Sequence, residues 1–236
     1  MSVRFSGSAA QALRRTADLL SSNAAYTWMA WLSPSSLASY MTIWNQCDGT
    51  FQHFEALELP NDSGGPLSAT LLNNWNFARA DSTTHPGTGT WYHVALVRES
   101  ATALKLYVNG TLEATNTADV TGRAAPTQME VGQALSNNPW NGRVAAMKAW
   151  SAVLTQPQVA AEMAYAFPVV SGSVYGWWPL QVHTDVADKS GNGRNWTVSG
   201  TLSTEADPPG VTSWSPAPGC VLGSTIVGSR LLRGLR

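Results

Sequence analysis

Between Thr90 and Thr115 the chain reads TWYHVALVRESATALKLYVNGTLEAT. This stretch constrains the fold more than any other. Leu104, Leu106 and Val108 alternate with Lys105, Tyr107 and Asn109, the period-two pattern of a strand with one buried face. Asn109-Gly110 follows at once. Both residue types tolerate the positive φ that a type I′ turn requires, so the dipeptide predicts a hairpin into a further strand at Thr111. A chain with this segment is committed to antiparallel β structure.

The same signals recur along the sequence. Strands are predicted at Ser2 to Phe5, Ala25 to Leu32, Met41 to Gln46, Phe51 to Leu59, Leu67 to Asn76, Thr127 to Gly132, Gly142 to Trp150, Val174 to Leu180 and Asn195 to Ser199, each bounded by Gly, Pro, Asn or Asp. Gln11 to Thr16 reads as a strand, although AAQALRRTADLL has helical propensity as well. Asp81 to Gly89 reads as a loop. One helix stands out: Thr155 as N-cap with Gln158 three residues on forms a capping box. Pro157 sits in the first turn, where its missing N–H costs nothing. Val159, Met163 and Phe167 recur at helical spacing. The expected class is all-β: a two-sheet antiparallel jelly-roll sandwich with one short helix and a C-terminal extended arm.

The 236 residues suit one large β domain at 1–209, followed by an extension or docking arm at 210–236 that begins in Pro-rich linker sequence. Only 12 % of residues are charged and the net charge is −1, so no global field draws the chain to nucleic acid. Low charge has two readings: a surface dressed in Ser, Thr, Asn and Gln, or a surface covered by partners. The 11 Trp are core anchors or stacking platforms. Cys47 and Cys220 pair or stay as two free thiols, and no disulfide framework surrounds them. The N-terminal run has no apolar h-region, so no secretory signal is expected, and no apolar run approaches the roughly 20 residues needed to span a bilayer.

The run GTWYHVALVRESATALKLYVNGTLEAT, followed by WNGRVAAMKAWSAVLTQPQVAAEM, resembles the laminin-G-like branch of the concanavalin A-like lectin/glucanase superfamily. VRFSG, TWMAWLSP and GWWPL with DKSGNGRNWTVSG fit the same pattern, the last of them late in the chain where related chains often carry it first. The resemblance implies two curved sheets stacked face to face. It also implies what to seek: catalytic carboxylates, rim calcium or a sugar site.

Superfamily glucanases carry carboxylates two apart on one strand, where one attacks and the other protonates. Here Glu55 and Glu58 are three apart; they face opposite sides and are expected to be solvated, so no catalytic residue is assigned. His93 is expected to be packed and hydrogen-bonded. For calcium, which the resemblance implies, Asp185, Asp188 and Asn192 are candidates, as are Asn45 and Asp48, against their ordinary use as turn formers. For sugar, Asn73, Asn74 and Trp75, with Arg79 and Asp81, combine an aromatic with paired polar groups; the competing reading puts Trp75 in the core and the asparagines in a turn. Trp28, Trp91, Trp150, Trp177 and Trp178 are assigned to the core.

The arm residues Ile226, Arg230, Leu231, Arg233 and Arg236 include no acid. Such an arm is expected to dock by strand addition with arginine–carboxylate pairing, onto its own domain, a second copy or another protein. These features lead to an expectation of a non-catalytic structural or interaction protein decorating a larger assembly as a homo-oligomer. The resemblance points to a virion or particle surface such as a phage head decoration, tail or fibre. The alternative is a lectin-like module attaching to cell-surface glycans; a glycoside hydrolase is a remote third.

Overall fold

A computed structural model describes residues 1–21, 24–60, 65–74 and 76–211. The strands in chain order are β1 (Ser2–Ser6), β2 (Ala12–Arg15), β3 (Tyr26–Pro34), β4 (Met41–Cys47), β5 (His53–Leu59), β6 (Ser68–Asn73), β7 (Asn76–Asp81), β8 (Tyr92–Ser100), β9 (Ala103–Val108), β10 (Thr111–Asn116), β11 (Gln128–Val131), β12 (Asn141–Trp150), β13 (Val174–Trp178), β14 (Thr197–Ser199) and β15 (Ser203–Glu205). The helix α1 (Gln156–Met163) lies between β12 and β13. An eight-stranded sheet runs β10-β9-β8-β3-β12-β1-β15, with β13 also paired to β12. A seven-stranded sheet runs β14-β2-β11-β4-β5-β6-β7. The two-sheet antiparallel sandwich and its one short helix are as the sequence predicts.

The core follows from the pleat. Tyr26, Trp28, Ala30 and Leu32 project from β3 toward the second sheet, where they meet Trp44, Leu57 and Leu71. Trp28 stacks on Trp44 across the gap, with ring centroids 5.3 Å apart. The other face of β3 is buried too, because Met29 packs beneath Leu154 and Val159 at the start of α1. Trp31 donates its indole N–H to the Met163 carbonyl, 3.1 Å away. The run TWMAWL is hydrophobic on both faces for this reason.

The outer face of the eight-stranded sheet is thus covered in its middle, over β3, β8 and β12, by α1 and the residues leading into it. Beneath it lies Lys148, fully buried, its ammonium donating to the Glu162 carboxylate at 2.6 Å and to the Glu162 and Tyr165 carbonyls at 2.7 and 2.8 Å. Burial pulls the Lys148 pKa down to about 8 against the raising effect of Glu162. His93 is packed as expected, edge-on to Trp31 at 5.6 Å. It is not hydrogen-bonded: both ring nitrogens lack a partner among the described residues. Burial, helped by the Lys148 ammonium, lowers its pKa to about 3, because no acceptor is there to stabilise a protonated ring.

Asn109 and Gly110 adopt φ values of 49° and 79°, as the type I′ turn between β9 and β10 demands. Gln11 to Thr16 forms a strand rather than a helix, since Leu13 must reach the core while Arg14 faces out. The predicted strand at Leu67 to Asn76 is two strands instead. Asn74 turns the chain at φ 53°, and Leu72 pairs with Phe77 across the hairpin. The predicted loop therefore begins after Asp81, not at it. Phe167 lies beyond the helix end and packs on Tyr165 and Trp177. Trp28, Trp150, Trp177 and Trp178 are buried; Trp91 is half-buried under the Arg143 guanidinium, 4.9 Å from its ring.

Candidate functional site

With the middle of one sheet covered by the helix, the outer face of the seven-stranded sheet is the broader polar surface. Register defines it. Thr197, Arg14, Glu130, Asn45, Ala56, Thr70 and Arg79 stand opposite one another across successive strands, β14 to β7. Side chains on adjacent strands at one register position share a face, so a polar row with one alanine crosses the whole sheet. Core residues Leu13, Val131, Trp44, Leu57 and Ala69 occupy the alternate positions.

The segment 132–139 lies over the middle of this row. Ala134 and Leu135 pack on Cys47, Phe54 and Ala56. The Asn45 amide donates to the Gln133 carbonyl at 2.5 Å, and the Leu135 backbone N–H donates to Glu130 Oε2 at 2.7 Å. Leu135, Ser136 and Asn138 all take positive φ, a conformation non-glycine residues hold only under constraint. The covered centre leaves an accessible area at each end.

At the β6–β7 end, Phe77 is 54 % exposed beside Leu72, and Phe51 is 42 % exposed against Phe54, their rings 5.7 Å apart. Along β7 the same face continues with Arg79 and Asp81. The Arg79 Nε donates to Asp81 Oδ1 at 2.6 Å and to Ser68 Oγ at 3.2 Å, and Ser68 Oγ also donates to Asp81. Behind them Glu58, 3 % exposed, accepts from Thr70 Oγ1 at 2.8 Å. Burial raises its pKa against the lowering effect of hydrogen bonds from Tyr40 and Thr70. Burial also raises the Tyr40 pKa, with Glu58 adding to the effect.

Two of the five sugar candidates therefore stand on this face, Arg79 and Asp81. Asn73 and Asn74 form the hairpin tip next to it, with their amides used locally. Asn73 Nδ2 donates to the Thr121 carbonyl at 2.5 Å, and Asn74 Nδ2 to Asn73 Oδ1 at 3.2 Å. Trp75 lies outside the described residues. Sequence reasoning missed Phe77 and Phe51. The signal was present in the alternation Phe77-Arg79-Asp81, hidden by ending the strand at Asn76.

Glu55 and Glu58 do face opposite sides, but neither is solvated. Glu55 is fully buried between the sheets, bonded to Arg98, Arg123 and Gln46. Two guanidiniums hold the carboxylate inside, where no substrate reaches it.

Among the calcium candidates, Asp188 Oδ1 accepts the N–H groups of Trp177 and Ser190, and its Oδ2 accepts that of Arg194. Asp185 pairs with Lys189 at 2.8 Å, and Asn192 donates to the Val174 and Tyr175 carbonyls. As placed, the Asp185 and Asp188 oxygens serve protein donors, and Asn192 acts as a donor itself. Asp48 caps its own turn at Thr50, and Asn45 is buried under the covering loop. Among the described residues no group of three or more His, Cys, Asp or Glu side chains is placed to hold a metal. Cys47 is a buried free thiol. The arm residues Ile226, Arg230, Leu231, Arg233 and Arg236, and Cys220, lie outside the described residues.

A family model described as the concanavalin A-like lectin/glucanases superfamily matches residues 5–160. The chain belongs to that superfamily. No curated protein sequence matches it. Among solved structures it is similar to a heptameric SAP-like pentraxin of Limulus polyphemus, at 17 % identity and TM-score 0.59, over 85 % of this chain and 92 % of that one. It is also similar to a Bacteroides ovatus protein provisionally described as carbohydrate binding, at 18 % identity and TM-score 0.62, over 87 % of this chain and 60 % of the other. A third likeness, at 21 % identity and TM-score 0.51 over 61 % of this chain and 68 % of the other, is to domain 4 of an extracellular arabinanase from Geobacillus stearothermophilus in complex with arabinotriose. At these identities the likeness shows the shared fold.

Proposed function

We propose that this member of the superfamily is a non-catalytic glycan-binding module whose β6–β7 end holds a neutral sugar ring. The observation that carries the reading is Phe77, more than half exposed on a pleated face beside the fixed Arg79–Asp81 pair. An exposed aromatic supplies a flat apolar surface for the C–H face of a pyranose or furanose ring. A guanidinium and a carboxylate held side by side offer a donor and an acceptor to neighbouring hydroxyls. The ligands named for two proteins of like fold, carbohydrate and arabinotriose, support this choice. The burial of Glu55 between two arginines supports a binding role over hydrolysis. None of the similar proteins reported above is named as a virion component, and the arm that prompted an assembly role lies outside the described residues.

The test is a glycan array probed with the full chain and with Phe77→Ala, in calcium and in chelator. Phe77 is exposed, so its loss leaves the fold intact. The reading expects a glycan subset retained by the parent protein and about tenfold weaker on Phe77→Ala, in line with the loss of one aromatic contact. No glycan bound in either buffer, or equal binding by the variant, overturns it. A difference between the two buffers would bring calcium into the site.

A further inference from the structure

At the opposite end of the same face, a groove of about 470 Å³ runs between β2 and β14. Its lining includes Arg14, Arg15, Thr16, Asp18, Thr197 and Ser199. The size suits one or two sugar residues. Two arginines there are unusual, for different reasons.

Arg15 is 7 % exposed. Its Nη1 and Nη2 donate to the carbonyls of Asn195 and Ala17, both at 2.9 Å. Its guanidinium lies 5.9 Å from the centre of the Trp196 ring. No carboxylate among the described residues forms an ion pair with it, and its buried Nε has no hydrogen-bond partner there. A buried cation facing only neutral acceptors is costly unless an anion completes it.

Arg14 is fixed from behind. Its Nε and Nη2 both donate to Glu130 Oε1, at 2.8 and 2.6 Å, and that carboxylate is fully buried. The side chain remains 38 % exposed, and the grip on Glu130 uses Nε and Nη2, not Nη1. The guanidinium is thus held in one orientation where it lines the groove. Thr197 stands directly across from it in register and is exposed, as is Thr16.

We propose that this groove is a second glycan subsite, selective for a sugar bearing a carboxylate. Arg15 supplies the unbalanced charge, Arg14 an oriented donor, and the rim hydroxyls of Thr16, Thr197 and Ser199 partners for ring hydroxyls. The Arg14 charge is already balanced by Glu130, and exposed Asp18 sits on the rim, so the groove favours a singly charged group over a phosphate dianion. That the anion sits on a sugar rests on the glycan-binding reading; that the groove takes a carboxylate does not.

Calorimetric titration of the full chain with glucuronic acid, N-acetylneuraminic acid, glucose, acetate and inorganic phosphate tests the idea. Thr197→Glu and Phe77→Ala serve as variants. Thr197 is exposed, so Thr197→Glu adds a carboxylate opposite Arg14 without disturbing the core. The expectation is binding of one or both sugar acids, and the stronger of the two names the source. Binding should weaken about tenfold in Thr197→Glu from like-charge repulsion and weaken in high salt, and both effects should persist in Phe77→Ala, where the aromatic ledge no longer contributes. In Phe77→Ala, glucose, acetate or phosphate bound as tightly as the sugar acids would overturn the selectivity. Failure of every ligand to bind, or no response to Thr197→Glu, would overturn the site, while the array result at Phe77 would stand by itself.

Discussion

His93 predicts how the fold fails in acid. Its ring is sealed under α1 with no acceptor for either nitrogen and the Lys148 ammonium nearby. Folded, it stays neutral down to about pH 3; unfolded, it protonates near pH 6.5. Between those values the unfolded chain binds the extra proton, so stability is highest above pH 6.5 and falls as the pH drops. One pKa unit corresponds to about 1.4 kcal/mol, so lowering the pH from 7 to 5 costs about 2 kcal/mol through this residue alone, and the whole window about 5 kcal/mol. The raised pKa of Glu58 works in the opposite direction at acid pH, but it is common to parent and variant and cancels in their difference.

The perturbation is His93→Leu. At pH 7 it removes an edge contact with Trp31 worth about 1 kcal/mol and two buried, unbonded nitrogens costing about 1–3 kcal/mol. The variant should therefore be as stable as the parent or slightly more so. Urea unfolding at pH 7, 6 and 5 is the assay. The parent should lose about 2 kcal/mol more than the variant over that range. Parallel losses would refute the reasoning, since they would mean that His93 reaches a proton acceptor or water in the folded state.

Two further outcomes follow from the same packing. Glu55→Gln leaves Arg98 and Arg123 buried around a neutral amide; a loss of about 3–5 kcal/mol is expected in urea, and a loss below 1 kcal/mol would show that the pair of arginines is not dependent on that charge. Gly110→Ala places a methyl at φ 79°, 3.2 Å from Ala160 Cβ on the helix, so a cost of about 1–2 kcal/mol is expected from the left-handed backbone alone, read as a lower thermal midpoint.

The fold was legible because its strongest signals are local. The alternation from Leu104 to Val108, Asn109-Gly110 and the Thr155–Gln158 capping box each specify their own geometry within a few residues. Misreadings arose where the deciding partner is remote. Leu67 to Asn76 reads as one strand until Leu72 is seen opposite Phe77. β15, with sequence Ser-Thr-Glu, has no apolar alternation and exists because β1 has an edge to pair. Glu55 reads as a surface glutamate because Arg98 and Arg123 are 43 and 68 residues away. The site was half legible for the same reason: Arg79 and Asp81 share a face by period two, whereas Arg15 is unusual only once its neighbours are known to be carbonyls.

The two sheets are unequal because α1 is present on one side only. The eight-stranded sheet spends the centre of its outer face on Met29, Val97 and Trp150 beneath the helix. The seven-stranded sheet has no helix, and its outer face keeps Arg14, Thr70 and Arg79 instead. An uncovered polar face would still be too flat to hold a small ligand, and the 132–139 segment changes that by rising over the centre. It creates a wall with an aromatic ledge on one side and an arginine groove on the other. Glu130 links the wall to the groove, since one carboxylate accepts both the Leu135 N–H and the Arg14 guanidinium. The wall's position and the orientation of Arg14 are therefore set by the same buried charge, and a chain that kept the sandwich but lost Glu130 would lose both together.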